Sequence, residues 1–157
     1  MTQRLNAYQV APDAYKPLLG LQDYIDKSGL EHSLIELVKM RASQINSCAY
    51  CLHMHSADAI KAGESPARLF LLDAWEESEL YTPRERAALR WTEALTRLSE
   101  GAPDDEAFAE LREHFSEREC VDLSIAIGAI NVWNRLNVGF RTLHPQDRRR
   151  PAEQAAG

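Results

Sequence analysis

The stretch Ser33-Leu34-Ile35-Glu36-Leu37-Val38-Lys39-Met40-Arg41-Ala42-Ser43-Gln44-Ile45-Asn46-Ser47-Cys48-Ala49-Tyr50-Cys51-Leu52-His53-Met54-His55 decides how this chain folds. Ser33 and Glu36 have the spacing of a capping box, in which the first side chain and the fourth each satisfy a free backbone N–H at a helix start. Behind them Leu34, Leu37, Val38 and Ile45 recur at helical spacing. Ser47 is a good N-cap for a second helix, which Gly63 closes. The reading is therefore helix, elbow, helix, with two thiols in the first turn of the second helix.

The same punctuation continues outward. Pro17 fits the N1 position of an earlier helix that Gly29 ends. Ser65-Pro66 starts a short helix through Leu72. Thr82-Pro83-Arg84-Glu85 is a capping box with proline at N1, and Gly101 closes that helix. Asp104 or Asp105 starts the next, and Ser116-Glu117-Arg118-Glu119 is a further box. After it Val121, Leu123, Ile125, Ile127, Ile130, Val132, Trp133 and Leu136 point in almost every direction on a helical wheel. A helix that is apolar all round is buried, so this one is expected at the centre or as half of a subunit interface. No hairpin dipeptide and no period-2 run appears. The expected fold is all-α, a single domain of about seven helices.

The chain has 157 residues and a net charge of −6. At that length roughly 70% of the unfolded surface can be buried, so the thiols are not needed as staples. The acidic balance disfavours nucleic acid, whose phosphates need Lys and Arg. The basic run Arg148-Arg149-Arg150 sits among prolines and reads as a solvated tail. Residues 1–20 hold polar side chains throughout and two prolines, with no apolar run of a secretory signal. The most apolar segment, Leu123 to Trp133, is too short to span a bilayer. A cytoplasmic protein with no membrane partner is expected. In that reducing compartment a Cys-x-x-Cys is more often redox or metal chemistry than a structural bridge.

With Ser47 as cap, Cys48 is at N1 and Cys51 at N4, where the helix N-terminus favours thiolate over thiol. At 100° per residue Cys48, Cys51 and His55 fall within about 60° of one another, while His53 points away. One imidazole can therefore serve both sulfurs. A thiolate can cleave the O–O bond of a hydroperoxide, giving an alcohol and a sulfenic acid. The second thiol condenses with the sulfenic acid to a disulfide, which an external dithiol reduces. His55 can act as base or acid near neutral pH. Zinc is an alternative, but it needs two further ligands. A structural disulfide or two inert thiols are the others. Read by periodicity alone, Glu36 is a capping residue. Cys120 reads as a small buried apolar residue, and Trp75, Trp91 and Trp133 as packing residues.

Glu36 through Ser56, with Ala59 and Gly63 beyond, resembles the core of the alkylhydroperoxidase D (AhpD) family, within the carboxymuconolactone decarboxylase-like superfamily. Thr82-Pro83-Arg84-Glu85-Arg86-Ala87-Ala88-Leu89 and Asn131-Val132-Trp133-Asn134-Arg135 resemble later family segments. The specific element is a Glu, a Cys-x-x-Cys twelve residues later, and a His four beyond the second Cys. The resemblance covers residues 15–145 and leaves 1–14 and 146–157 as tails. It implies an all-helical homo-oligomer, a trimer or hexamer, with peroxidase activity; no cofactor and no bound metal are expected. It also implies that Cys51 is oxidised to the sulfenic acid, that Cys48 resolves it, and that Glu36 and His55 form a proton relay. The partners implied are a hydroperoxide substrate and a dithiol reductant such as a lipoyl-bearing protein. Tyr50 stands where well-known members carry a His between the cysteines. The competing functions are lactone decarboxylation, as in the other branch of the superfamily, and a non-catalytic redox-sensing oligomer.

Overall fold

The computed structural model describes residues 2–148, so Arg149 and Arg150 of the basic run lie outside the described residues. The described chain is helical throughout, without strands. The helices are α1 (Ala7–Val10), α2 (Pro12–Asp26), α3 (His32–Ile45), α4 (Ala49–Lys61), α5 (Pro66–Leu71), α6 (Pro83–Thr96), α7 (Asp105–His114), α8 (Glu117–Phe140) and α9 (Pro145–Arg148). A 3-10 segment, Leu72–Glu77, continues α5. Seven of the helices are longer than a single turn, in line with the expected number.

Helix α3 is the centre. It packs on α4, α6 and α8, while α2 lies along α8 and α7 along α6. Its residues Leu34 to Ser43 are all buried. On one side Leu34, Ile35 and Val38 meet Ile25, Ala88, Leu111, Phe115, Leu123 and Ile127. On the other side Leu37 and Met40 meet Ala59, Leu72, Trp75, Tyr81 and Leu89. Helix α8 shares the centre, as expected: it packs on α2, α3, α4, α6 and α7, and it leaves Val121, Val132 and Val138 exposed. Helix α3 also takes polar residues into the interior. Glu36, Lys39, Arg41 and Ser43 are buried but find partners inside the protein, and buried polar groups are tolerated when paired.

The capping boxes at Thr82 and Ser116 form with both reciprocal hydrogen bonds, and Asp104 caps α7 through the Ala107 N–H. The box at Ser33 does not form. The N-cap of α3 is Glu31, without a side-chain bond, and Ser33 lies inside the helix. Glu36 is thereby two residues too deep to cap and turns its carboxylate inward. Helix α2 starts at Pro12, not Pro17, which lies within it. Helix α6 ends at Thr96, ahead of Gly101.

Candidate active site

The elbow between α3 and α4 is built from backbone hydrogen bonds first. Ser47 donates its N–H to the Gln44 carbonyl (3.1 Å), and Cys48 donates to the Ser43 carbonyl (2.9 Å). These two bonds are the Schellman closure of a helix, with Ser47 as the left-handed residue (φ 53°). Ser47 is spent on ending α3, so it cannot cap α4. Cys48 takes that place: its Sγ accepts from the Cys51 N–H at 3.3 Å. Cys48 is therefore the N-cap and Cys51 the third residue of the helix, one position earlier than the sequence suggested.

Polar side chains of α8 pin this elbow. Asn46 donates to the side-chain carbonyls of Asn131 (3.0 Å) and Asn134 (2.9 Å). Asn134 in turn donates to Ser43 Oγ (3.0 Å), and Asn131 to Thr96 Oγ1 (3.1 Å). One turn further, Asn137 Nδ2 donates to Cys51 Sγ at 3.6 Å and to the Trp133 carbonyl at 3.0 Å.

The two sulfurs are joined as a disulfide, and both cysteines are 1% exposed. They differ in access. Cys51 lines a cavity of about 800 Å³, and Cys48 does not. Glu36, Lys39, His55, Tyr50, Tyr15 and Trp133 share that wall. His55 Nδ1 lies 2.9 Å from Glu36 Oε2, and Lys39 donates to Glu36 Oε1 at 3.0 Å. All three side chains are buried. Burial pushes the Glu36 carboxyl up, but the His55 hydrogen bond and the charges of His55 and Lys39 outweigh it and hold the group below its ordinary value. Glu36 is thus an anion at neutral pH, which places the hydrogen of the Glu36–His55 bond on Nδ1. Tyr15 is shifted upward by burial and then by Tyr50, so it stays a neutral phenol. Its ring lies 5.5 Å from Trp133 and 5.2 Å from Tyr8.

The structure therefore brings Glu36, Cys51 and His55 to one wall, with Cys48 behind it. Cys120 is a free cysteine buried in the core cluster of Ile25, Leu34 and Leu123, to which neither member of the pair belongs. Among the described residues no group of three or more His, Cys, Asp or Glu side chains forms a ligand set for a metal. Lys39, Tyr15 and Asn137 were missed from sequence, and Trp133 was read only as packing. The available signal was Asn131, Asn134 and Asn137, a polar stripe at three-residue spacing on an otherwise apolar helix.

The profile of the carboxymuconolactone decarboxylase family matches residues 12–94, more than half of the chain. The chain belongs to this family. It is 39% identical over 140 residues to the uncharacterized protein YdfG of Bacillus subtilis (strain 168), covering 89% of this chain and 95% of that protein. A solved structure from Agrobacterium tumefaciens, a protein of unknown function provisionally described as the antioxidant defence protein AhpD, superposes with a TM-score of 0.89 at 46% identity, covering 92% of this chain and 99% of that one. The debrominase Bmp8 superposes with a TM-score of 0.78 at 25% identity, covering 87% and 73%. This member of the carboxymuconolactone decarboxylase family thus has the all-α, AhpD-like fold. Among its described residues no helix is long and apolar enough to cross a membrane.

Proposed function

We propose that the protein is a thiol-dependent peroxidase that reduces organic hydroperoxides in antioxidant defence. The observation that carries this reading is the cavity wall on which one sulfur of a joined pair lies beside a buried His–Glu couple. In the reduced enzyme His55 Nε2 takes the Cys51 proton. The Cys51 thiolate attacks the terminal oxygen of the hydroperoxide, and the O–O bond breaks. The electron pair leaves on the alkoxide oxygen, which His55 protonates to the alcohol, and Cys51 is left as the sulfenic acid. Glu36 holds the imidazole in the required tautomer and offsets its charge while it carries the extra proton.

Cys48 then acts. As N-cap its sulfur receives a backbone N–H, which favours the thiolate, but it lies off the cavity. It attacks Cys51 Sγ, the S–O bond breaks, and hydroxide leaves as water with one proton. An external dithiol attacks the disulfide, forms a mixed disulfide, and closes its own disulfide as both cysteines return to thiols. Such a donor, for example a lipoyl-bearing protein, fits a cytoplasmic location. Assembly into a trimer or hexamer belongs to the same proposal and is supported by the exposed valines of α8, Val121, Val132 and Val138.

The test is dithiol-dependent consumption of cumene hydroperoxide. Cys51→Ser is expected to abolish it, whereas Cys48→Ser should consume one equivalent per subunit and then stop. Unchanged turnover in Cys51→Ser would end the proposal. A lactone decarboxylase, the runner-up, needs no thiol pair, and its activity would survive alkylation of both cysteines. A redox sensor without catalysis would cycle its disulfide but show no multiple turnover.

A further inference from the structure

Each sulfur of the pair has its own hydrogen-bond donor, and the two donors are of different kinds. Cys48 Sγ receives the backbone N–H of Cys51 at 3.3 Å, a bond fixed by the helix itself. Cys51 Sγ receives the side-chain amide of Asn137 at 3.6 Å, across 86 residues of sequence. The amide is held from both ends. It sits on the rigid α8 backbone, and its Nδ2 also donates to the Trp133 carbonyl one turn back. With one hydrogen tied to that carbonyl, the other has one direction left, toward Cys51.

We propose that Asn137 is a catalytic residue that stabilises negative charge on Cys51 Sγ and so selects this sulfur as the one that ionises toward the cavity. The inference rests on the peroxidase reading for its place in a cycle, but the charge it describes is independent of the substrate. A neutral thioether-like sulfur in the disulfide is a weak acceptor. A thiolate is a strong one, because hydrogen bonds to charged groups are about twice as strong as neutral ones. The bond therefore tightens as Cys51 loses its proton and slackens when the sulfur is oxidised, which is the differential stabilisation that catalysis requires. The position matters because the helix N-terminus by itself favours the buried Cys48. Asn137 supplies the counterweight at the sulfur that substrate reaches. The titratable side chains on the cavity wall come from α1 to α4 (Glu36, Lys39, Tyr50 and His55 among them). Those of α8 on that wall, Ile130, Trp133 and Asn137, carry no charge, so altering Asn137 need not disturb a second ionisation on its own helix.

The experiment reads the acidity of Cys51 directly. In a reduced Cys48→Ser background the disulfide cannot form, and the serine keeps an N-cap oxygen in place. The rate of Cys51 alkylation by iodoacetamide is followed against pH, with mass spectrometry separating it from Cys120. Asn137→Leu is expected to raise the pH midpoint by about one unit. Asn137→Asp, which exchanges the donor for an acceptor anion, should raise it further; if it fails to fold, Asn137→Ala gives the same reading as Asn137→Leu. In the otherwise native enzyme Asn137→Leu should lower kcat for cumene hydroperoxide about tenfold with little change in KM. One midpoint shared by Asn137, Leu, Ala and Asp proteins overturns the proposal. An Asn137-dependent midpoint in a protein that reduces no hydroperoxide upholds it and removes the peroxidase reading instead.

Discussion

Helix α3 carries two ionic clusters on its two sides, one buried and one partly exposed, and each is built on a glutamate. Toward the cavity Glu36 is bonded to His55 and Lys39. Toward α6 Arg41 donates Nε to Glu93 (2.7 Å) and pairs with Asp73, while Trp75 Nε1 also donates to Glu93 (2.7 Å) and Arg97 pairs with it from the same helix. Both carboxyls are pushed up by burial and pulled down further by their partners, so both are anions. The difference is in the partner. A guanidinium never gives up its proton at working pH, so the Glu93 cluster can only hold. An imidazole can exchange a proton near neutral pH, which is why the proposed relay is placed at the Glu36 cluster. A buried carboxylate beside a cavity is a relay only when its neighbour titrates.

Swapping each carboxylate for its amide separates the two roles. Glu36→Gln removes the anion that orients His55, and hydroperoxide turnover per folded molecule is expected to fall about 10²-fold or more, in the range of general acid–base catalysis. Glu93→Gln is expected to leave turnover per folded molecule near that of the native protein and to lower unfolding free energy by roughly 2–3 kcal/mol. That is at or just below the ~3–5 kcal/mol of a fully buried broken pair, because Glu93 keeps 19% of its side chain exposed. Urea unfolding and steady-state assays on both variants check the crossing. Equal losses of activity in the two would erase the distinction.

How much of this was legible in the sequence follows from the range of the interactions. The boxes at Thr82 and Ser116 involve residues three apart, so pattern alone finds them, and the structure forms both. Ser33 and Glu36 have the same spacing, yet Glu36 lies in the interior, paired across to His55 and locally to Lys39, and the cap is Glu31. The helical face shared by Cys48, Cys51 and His55 was readable from 100° steps. What was not readable is which sulfur meets the cavity, because that depends on the course of α8 and the N-terminal helices past the elbow. Asn137 is 86 residues from Cys51, and no local rule reaches that far.

Acid should weaken the scaffold in a defined window. Glu93 and Glu119 both fold with depressed carboxyl pKa, Glu119 at about 2, where the Ser116 backbone and side chain and then Arg84 favour its anion. A group whose folded value is lowered contributes fully above its unfolded value of 4.5 and loses that contribution as pH falls toward the folded one. The thermal midpoint of the native protein should therefore decline below about pH 4.5. Glu119→Gln should start a few degrees lower at pH 7 and decline less steeply, since one proton-linked group is gone. Parallel curves would mean that Glu119 does not contribute through its charge.

The smallest expected effect concerns the two ends of the thiol helix. Its C-terminus closes with the same pair of bonds as the elbow before it: Gly63 donates to the Ile60 carbonyl (3.0 Å) and Glu64 to the Ala59 carbonyl (2.9 Å). There the left-handed position is a glycine at φ 100°, whereas at the elbow it is Ser47 at φ 53°. A side chain in that conformation costs roughly 1–2 kcal/mol, because Cβ crowds the following carbonyl oxygen. Glycine removes the clash but adds freedom to the unfolded chain, which offsets part of the gain. Ser47→Gly is therefore expected to stabilise the protein by about 0.5–1 kcal/mol, with no loss of the Cys48–Cys51 disulfide. Denaturant midpoints with an unchanged slope would read this directly. A destabilised Ser47→Gly would mean that the serine side chain, and not only its backbone, holds the elbow on which both sulfurs are mounted.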